Sequence, residues 1–163
     1  MNNAGKILEI FQKDCRISLE QAATMLDMTA ADVAQTIDEL EKKNIILGYG
    51  AIVNWDSTDR DFVSAHIEIK VTPQTSNGFD RIARRIQQHS KVKSLCLMSS
   101  GSYDFFLTIE GRTLKEVALF VSEYLAPMED IISTATRFVL KRYKENGVIF
   151  GNTSKDEREV ISL

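Results

Sequence analysis

Residues 16–49, RISLEQAATMLDMTAADVAQTIDELEKKNIILGY, decide the fold of the first part of this chain. Ser18 offers an N-cap with Gln21 three residues later, a capping-box spacing that starts a helix through Ala22, Ala23, Met25 and Leu26. Asp27-Met28-Thr29 is the length of a tight interhelical turn. Thr29 with Asp32 then repeats the N-terminal signature for a further helix that buries Val33, Ile37 and Leu40. Ala31, Ala34, Gln35, Asp38 and Lys42 consequently point outward, with Thr36 nearer the edge of the buried stripe. After Asn44 the period switches from helical to extended through Ile45, Ile46, Leu47, Tyr49, Ile52 and Val53, so a strand is expected there. Helix, turn, helix and strand is the layout of a winged helix-turn-helix, a module that lays its second helix in the major groove of DNA.

In that arrangement Thr29, Ala31, Ala34, Gln35 and Thr36 face the groove, and Gln35 is able to pair in bidentate fashion with adenine. Lys42 and Lys43, with Lys6, Lys13 and Arg16, are candidates for phosphate contacts. The charge runs the other way. Residues 30–43 hold Asp32, Asp38, Glu39 and Glu41 against Lys42 and Lys43 only, and residues 1–55 hold five basic against eight acidic side chains. Phosphate neutralisation supplies most non-specific affinity, so here that contribution is weak or is supplied by several linked copies acting together.

Upstream, Ile7, Leu8, Ile10 and Phe11 repeat at helical spacing and predict a first helix. Downstream, the polar stretch that opens at Asn54 breaks both periodicities, and residues 55–61 read as a linker between a first domain, 1–54, and a second, 62–142. Trp55, the only tryptophan, is expected to anchor the two domains. The second domain opens on a clean alternation, with Val63, Ala65, Ile67, Ile69 and Val71 on one face and Ser64, His66, Glu68 and Lys70 on the other. A helical stripe (Phe79, Ile82, Ala83, Ile86), strands over 92–99 and 103–110, a helix over 113–124 and a strand over 131–141 complete a βαββαβ order. The fold class is therefore α+β, a winged helix-turn-helix followed by a ferredoxin-like domain. Both helices of such a domain cover one sheet face. The other face carries Cys96 with Met98, or Phe106, according to register, and an apolar open face predicts a homodimer. Residues 143–163 form a C-terminal extension in which Gly147-Val148-Ile149-Phe150 reads as a short added strand.

The 163 residues, 44% hydrophobic and 26% charged with a net charge of −3, describe a soluble globular chain able to bury a core. No apolar run approaches the ~18 residues needed to span a bilayer, so no membrane partner is expected and the chain reads as cytoplasmic. Cys15 and Cys96 stand far apart without metal spacing and read as reduced, packed thiols; His66 and His89, isolated from any ligand set, read as surface or interface residues. Neither a metal nor a cofactor is expected.

With both halves placed, the chain resembles the Lrp/AsnC family of bacterial and archaeal transcription regulators over about residues 6–141. The carriers are the helix-turn-helix with Arg16-Ile17-Ser18, the segment LEKKNIILGY from Leu40, Gly101-Ser102-Tyr103-Asp104 opening a strand, and Thr134-Ala135-Thr136-Arg137-Phe138-Val139 in the last strand. The resemblance implies a dimer, often assembled into an octamer, that binds double-stranded DNA through its first domains. It also implies that the second domains sense a small molecule, commonly an amino acid. It tips the Gly101 turn from an ordinary hairpin towards a ligand loop. Backbone N–H groups around Ser100, Gly101 and Ser102 would hold a carboxylate, Asp104 beside Tyr103 would accept from an ammonium group, and Thr134 and Thr136 would complete the pocket. The third helix departs from the basic character usual in the family, which keeps a second function in view: an amino-acid sensor acting through protein partners with weak or no DNA binding. Catalysis is not expected. Siroheme decarboxylases look similar in fold, yet they require histidine and basic residues where this chain has Ser99, Ser100, Gly101 and Tyr103.

Overall fold

The computed structural model of the chain describes residues 3–72, 78–99 and 101–150. These divide into two compact units, Met1–Ile52 and Val53–Leu163.

The first unit is built from α1 (Asn3–Lys13), α2 (Leu19–Leu26) and α3 (Ala30–Lys42). Ser18 caps α2 with the full capping box: its side chain accepts from the Gln21 N–H while the Gln21 side chain accepts from the Ser18 N–H. Asp27 ends α2 in the left-handed region at φ 55°, and the Met28 N–H returns to the Ala23 carbonyl. That closure sets the turn between α2 and α3. Asn44 does the same for α3 at φ 54°, with the Ile45 N–H reaching back to the Leu40 carbonyl at 2.9 Å. Ile7, Ala22, Ala23 and Val33 are buried at the centre, with Phe11, Ile17, Leu26, Met28, Ala30 and Ile37 packed around them. Two of the four central residues are alanines, so the three helices approach closely around Ile7 and Val33.

The strand expected over residues 45–53 is not formed: among the described residues none between α3 and residue 63 belongs to a sheet. A strand needs a ladder partner, and this apolar segment has none among the described residues. Ile45, Leu47, Tyr49 and Ile52 are left exposed.

In the second unit, the stretch read as a linker contains a short 3-10 turn, Trp55–Ser57. Trp55 stacks on Phe62 at 6.0 Å, and the Arg60 guanidinium sits 4.4 Å from its ring centre. The boundary between units accordingly falls just before these residues, because aromatic packing ties them to the start of the second unit. Beyond them run β1 (Val63–Val71), α4 (Gly78–Gln87), β2 (Val92–Leu97), β3 (Phe105–Gly111), α5 (Leu114–Leu119) and β4 (Ile131–Phe138). The antiparallel sheet has the order β2-β3-β1-β4, as a ferredoxin-like βαββαβ chain requires. Thr113 caps α5, which passes at Phe120–Leu125 into a π-helical turn instead of continuing as the α-helix expected over 113–124. Phe120 and Leu125 are both buried there, together with Ile82 and Ile86 of α4, over Ala65, Ile67, Ile69, Phe105, Leu107 and Ile109 of the sheet.

The extension begins as a hairpin, β5 (Lys144–Glu145) paired with β6 (Val148–Ile149). Asn146 and Gly147 turn it at φ 45° and 85°, the two positive values that a two-residue hairpin loop of matching twist demands. Arg142 ties it down by donating to Glu145 at 2.7 Å and to the buried Ser64 hydroxyl at 3.3 Å. Residues 151–163 lie outside the described residues.

Candidate nucleic-acid interface and effector surface

Helix α3 presents the expected residues, but most of its polar groups are already engaged. Thr29 is the N-cap: its hydroxyl accepts from the Asp32 N–H at 3.1 Å and donates to the Asp32 carboxylate at 2.7 Å. The Thr36 hydroxyl donates to the Asp32 carbonyl at 2.8 Å. Ala31 is exposed and Ala34 half-buried, a low surface that lets a flat partner approach the helix. Gln35 is exposed and donates to Glu39 at 3.2 Å. Lys42 is paired with Asp38, which raises the lysine pKa, and Lys43 lies 3.7 Å from Glu39. All four charged partners are largely exposed. Such i,i+4 pairs contribute only a few tenths of a kcal/mol, so a phosphate can take either lysine.

Behind the helix, Tyr49 donates from its hydroxyl to Glu41 at 2.7 Å. That bond, then burial and the nearby carboxylate charge, pushes the phenol up to about 12. The contact fastens the segment after α3 to the helix itself. In an alkaline titration followed by ultraviolet absorbance, Tyr49 should stay protonated until the pH approaches about 12. Glu41→Gln should bring Tyr49 down towards the ordinary value near ~10. Identical titration curves for the two proteins would show that the contact is not made in solution.

In the second unit, strand register settles the faces. Ile67 and Ile69 lie opposite Leu107 and Phe105 on β3 and opposite Thr136 and Thr134 on β4. Directly opposed residues share a face, so Thr134 and Thr136 lie on the helix-covered side, where both are half-buried. The open side gathers His66, Glu68 and Lys70 with Phe106 and Thr108 of β3 and Ser94 and Cys96 of β2. Cys96 pairs directly with Phe106, and the Met98 N–H donates to the Asp104 carbonyl at 2.7 Å, so both apolar sets considered for this face occupy it together. His66 stacks on Phe106 at 5.1 Å and shares a hydrogen bond with Thr108 at 3.1 Å; Tyr103 lies 6.1 Å from Phe106. His89 is instead a packing residue, half-buried with its ring 4.8 Å from Phe120 and 4.6 Å from Tyr124.

Gly101 sits in the β2–β3 connection at φ 130°, a conformation open to glycine and strained for other residues, while Ser100 lies outside the described residues. Gly101 and Ser102 are exposed. Asp104 closes the loop against the end of β1: one carboxylate oxygen accepts from the Val71 N–H at 2.8 Å and the other from Lys70 at 3.0 Å. The Val71 bond foremost, with Lys70 beside it, holds the Asp104 carboxyl below its ordinary pKa. Because the native value is depressed, its stabilising contribution is complete above the unfolded pKa near ~3.9 and is lost as pH falls through the lower native value. Asp104 opposes Lys70 on the open side while Thr134 and Thr136 face the helices. A single protomer therefore does not bring these three residues into one pocket. Sequence reasoning overlooked Lys70 as the partner of Asp104, since only strand pairing makes them neighbours. It also overlooked the pairing of Gln35 and Lys43 with Glu39, which the i,i+4 spacing did signal. Among the described residues no cluster of histidine, cysteine, aspartate or glutamate is arranged to hold a metal, and no helix is long and apolar enough to cross a membrane.

Two family models match the chain, a winged helix-turn-helix DNA-binding domain over residues 2–46 and the Lrp/AsnC ligand binding domain over 64–149. An uncharacterized HTH-type transcriptional regulator of Bacillus subtilis, YugG, is 40% identical over 158 residues, covering 96% of this chain and 95% of that protein. A Neisseria meningitidis transcriptional regulator, solved as a complex with L-Met, shares the fold with a TM-score of 0.70 at 19% identity over 89% of this chain and 92% of that one. Escherichia coli AsnC shares it at 0.67 and 16% identity, over 89% and 95%. The matched domains are those of regulators and not of enzymes. With a helix-turn-helix unit and a ligand-binding domain in the same order and nearly full mutual coverage, the chain belongs to the Lrp/AsnC family of transcriptional regulators.

Proposed function

We propose that this regulator is a cytoplasmic homodimer, assembling further to an octamer, that reads double-stranded DNA through α3 and takes a free amino acid at contacts between copies of its second unit. The observation that carries the reading is the open sheet face. Phe106, Cys96, Met98 and Tyr103 collect there beside the Gly101 loop, and an apolar surface of this kind is better covered by a second copy than by water. The effector reading draws on the neisserial protein of the same fold, which was solved with L-Met. Exposed backbone at Gly101 and Ser102 suits a carboxylate, and Asp104 keeps lone pairs beyond those used by Val71 and Lys70 for an ammonium group. Thr134 and Thr136, turned away from Asp104 within a protomer, join the same site only where another copy supplies it.

Titration calorimetry of the full chain with each proteinogenic amino acid tests this, with Asp104→Asn as the discriminating variant. Asparagine keeps an oxygen for the Val71 N–H but carries no charge for an ammonium group. The variant should lose ~10-fold or more in affinity, because charge-assisted bonds are worth about 1.5–3 kcal/mol, while the protein stays folded with a melting temperature lowered only by the lost Lys70 pair. Asp104→Ala is the poorer probe because it orphans the Val71 N–H at the end of β1. Unchanged affinity in Asp104→Asn removes Asp104 from the site, and silence across all the amino acids removes the amino-acid reading.

A second function is favoured by one observation: α3 with its C-cap carries four carboxylates, Asp32, Asp38, Glu39 and Glu41, against only Lys42 and Lys43, an acidic excess that repels phosphate. In this reading the second unit senses an amino acid and signals through protein partners. Capture of genomic DNA fragments at low and physiological salt separates the two. Enrichment of a discrete palindromic site supports the regulator acting on DNA, and no enrichment at low salt supports the sensor.

A further inference from the structure

We propose that Glu39 is a positioning residue for base recognition, fixing the amide of Gln35 in one orientation so that it selects adenine on one strand of the operator. The inference rests on the DNA-binding reading above. Residues 35, 39 and 43 repeat at one-turn spacing along a single exposed ridge of α3 and its C-terminus. Gln35 Nε2 donates to Glu39 Oε1 at 3.2 Å, and Glu39 Oε2 lies 3.7 Å from Lys43 Nζ. An ionised carboxylate has no proton to give, so Gln35 must turn its NH2 end towards Glu39 and its carbonyl oxygen the other way. Lys43 offsets the carboxylate charge from the far side.

An unrestrained glutamine can flip its amide and match a donor-acceptor pair in either order. The restrained one retains a single order of carbonyl oxygen and remaining N–H. Adenine presents N7 as acceptor beside the N6 amino donor in the major groove, and it alone among the bases offers a glutamine both contacts side by side. Fixing the amide turns a contact that tolerates either strand polarity into one that reads it. Ala31 and Ala34, one turn and one residue before Gln35, leave the approach to that amide unobstructed. In a desolvated groove the Gln35–Glu39 bond strengthens relative to water, so the restraint acts where it is needed.

The test is selection of bound sequences from a randomised double-stranded DNA library by the full chain and by Gln35→Ala, Glu39→Gln and Glu39→Ala, at low salt. Both Glu39 variants remove the same charge and so should tighten binding overall, and neither leaves a group that can only accept from Gln35, since alanine has no polar atom there and a glutamine amide donates as well as accepts. The wild-type chain should prefer adenine at one half-site position by ~10-fold, the scale of a good bidentate pair. Glu39→Gln and Glu39→Ala, which free the amide, should accept A·T and T·A alike at that position, and Gln35→Ala should lose the preference for either. The same adenine preference in Glu39→Ala as in wild type, or its survival in Gln35→Ala, overturns the inference while leaving DNA binding intact. Failure of every protein to enrich any sequence overturns the DNA-binding reading and this inference with it.

Discussion

Ile7→Ala should unfold the first unit while the second stays folded. Ile7 is fully buried at the centre of a core whose other central members are two alanines and Val33, so no larger neighbour is placed to collapse into the void. Truncation of a buried isoleucine to alanine costs about 2–5 kcal/mol. A unit of some fifty residues holds on the order of 3–8 kcal/mol in total, so the loss takes most of its stability. Trp55 lies in the second unit and is the only tryptophan, which separates the signals. In urea, far-ultraviolet circular dichroism should show an early loss of helix, while the tryptophan fluorescence transition keeps its midpoint. DNA capture should disappear and effector binding persist. A single coincident transition, displaced as one, would contradict two independently stable units.

Phe106→Glu should convert the proposed dimer to monomers. Phe106 sits at the middle of the open face, stacked on His66 and paired in register with Cys96, so a second copy packed there would bury it. A carboxylate at that place, repeated by symmetry in the partner, meets its own kind in a water-poor interface and costs several kcal/mol. About three of these already weaken association by more than ~100-fold. Because the residue lies on the uncovered side of the sheet, the fold of the protomer should survive. Sedimentation velocity should show the monomer mass for Phe106→Glu and the assembled mass for Phe106→Leu, which keeps the apolar contact. An assembled mass for Phe106→Glu with native circular dichroism would place the interface elsewhere. Monomeric protein should also bind DNA far more weakly, since avidity between linked modules offsets the poor charge complement of each α3.

The residues proposed for DNA contact were legible because they derive from helix geometry. Once Ser18 and Thr29 are recognised as caps, the outward face of α3 is fixed at Ala31, Gln35, Asp38 and Lys42. The i,i+4 spacing further shows that Lys42 and Lys43 have acids one turn away. The effector surface was less legible because its parts lie in different strands. Gly101 announced a special backbone angle, but that Asp104 is spent on Val71 and Lys70, and that Thr134 and Thr136 face the helices, depends on which residues of β1 meet β3 and β4.

The sequence by itself determined the elements whose cause is local. Caps, apolar periodicity and the Asn146-Gly147 turn all act within a few residues, and the clean alternation of Val63, Ala65, Ile67, Ile69 and Val71 could be satisfied only by a strand with one buried face. Only the tertiary structure decided what depends on a distant partner. Residues 45–53 have the extended pattern of a strand and none of its ladder hydrogen bonds, since no strand among the described residues pairs with them. The helix after Thr113 loosens into a π turn where Phe120 and Leu125 must both reach the core. Cys96, Met98 and Phe106 could be assigned to a common face only after β2 had taken its register on β3, because in a sheet a one-residue slip moves every side chain to the opposite side.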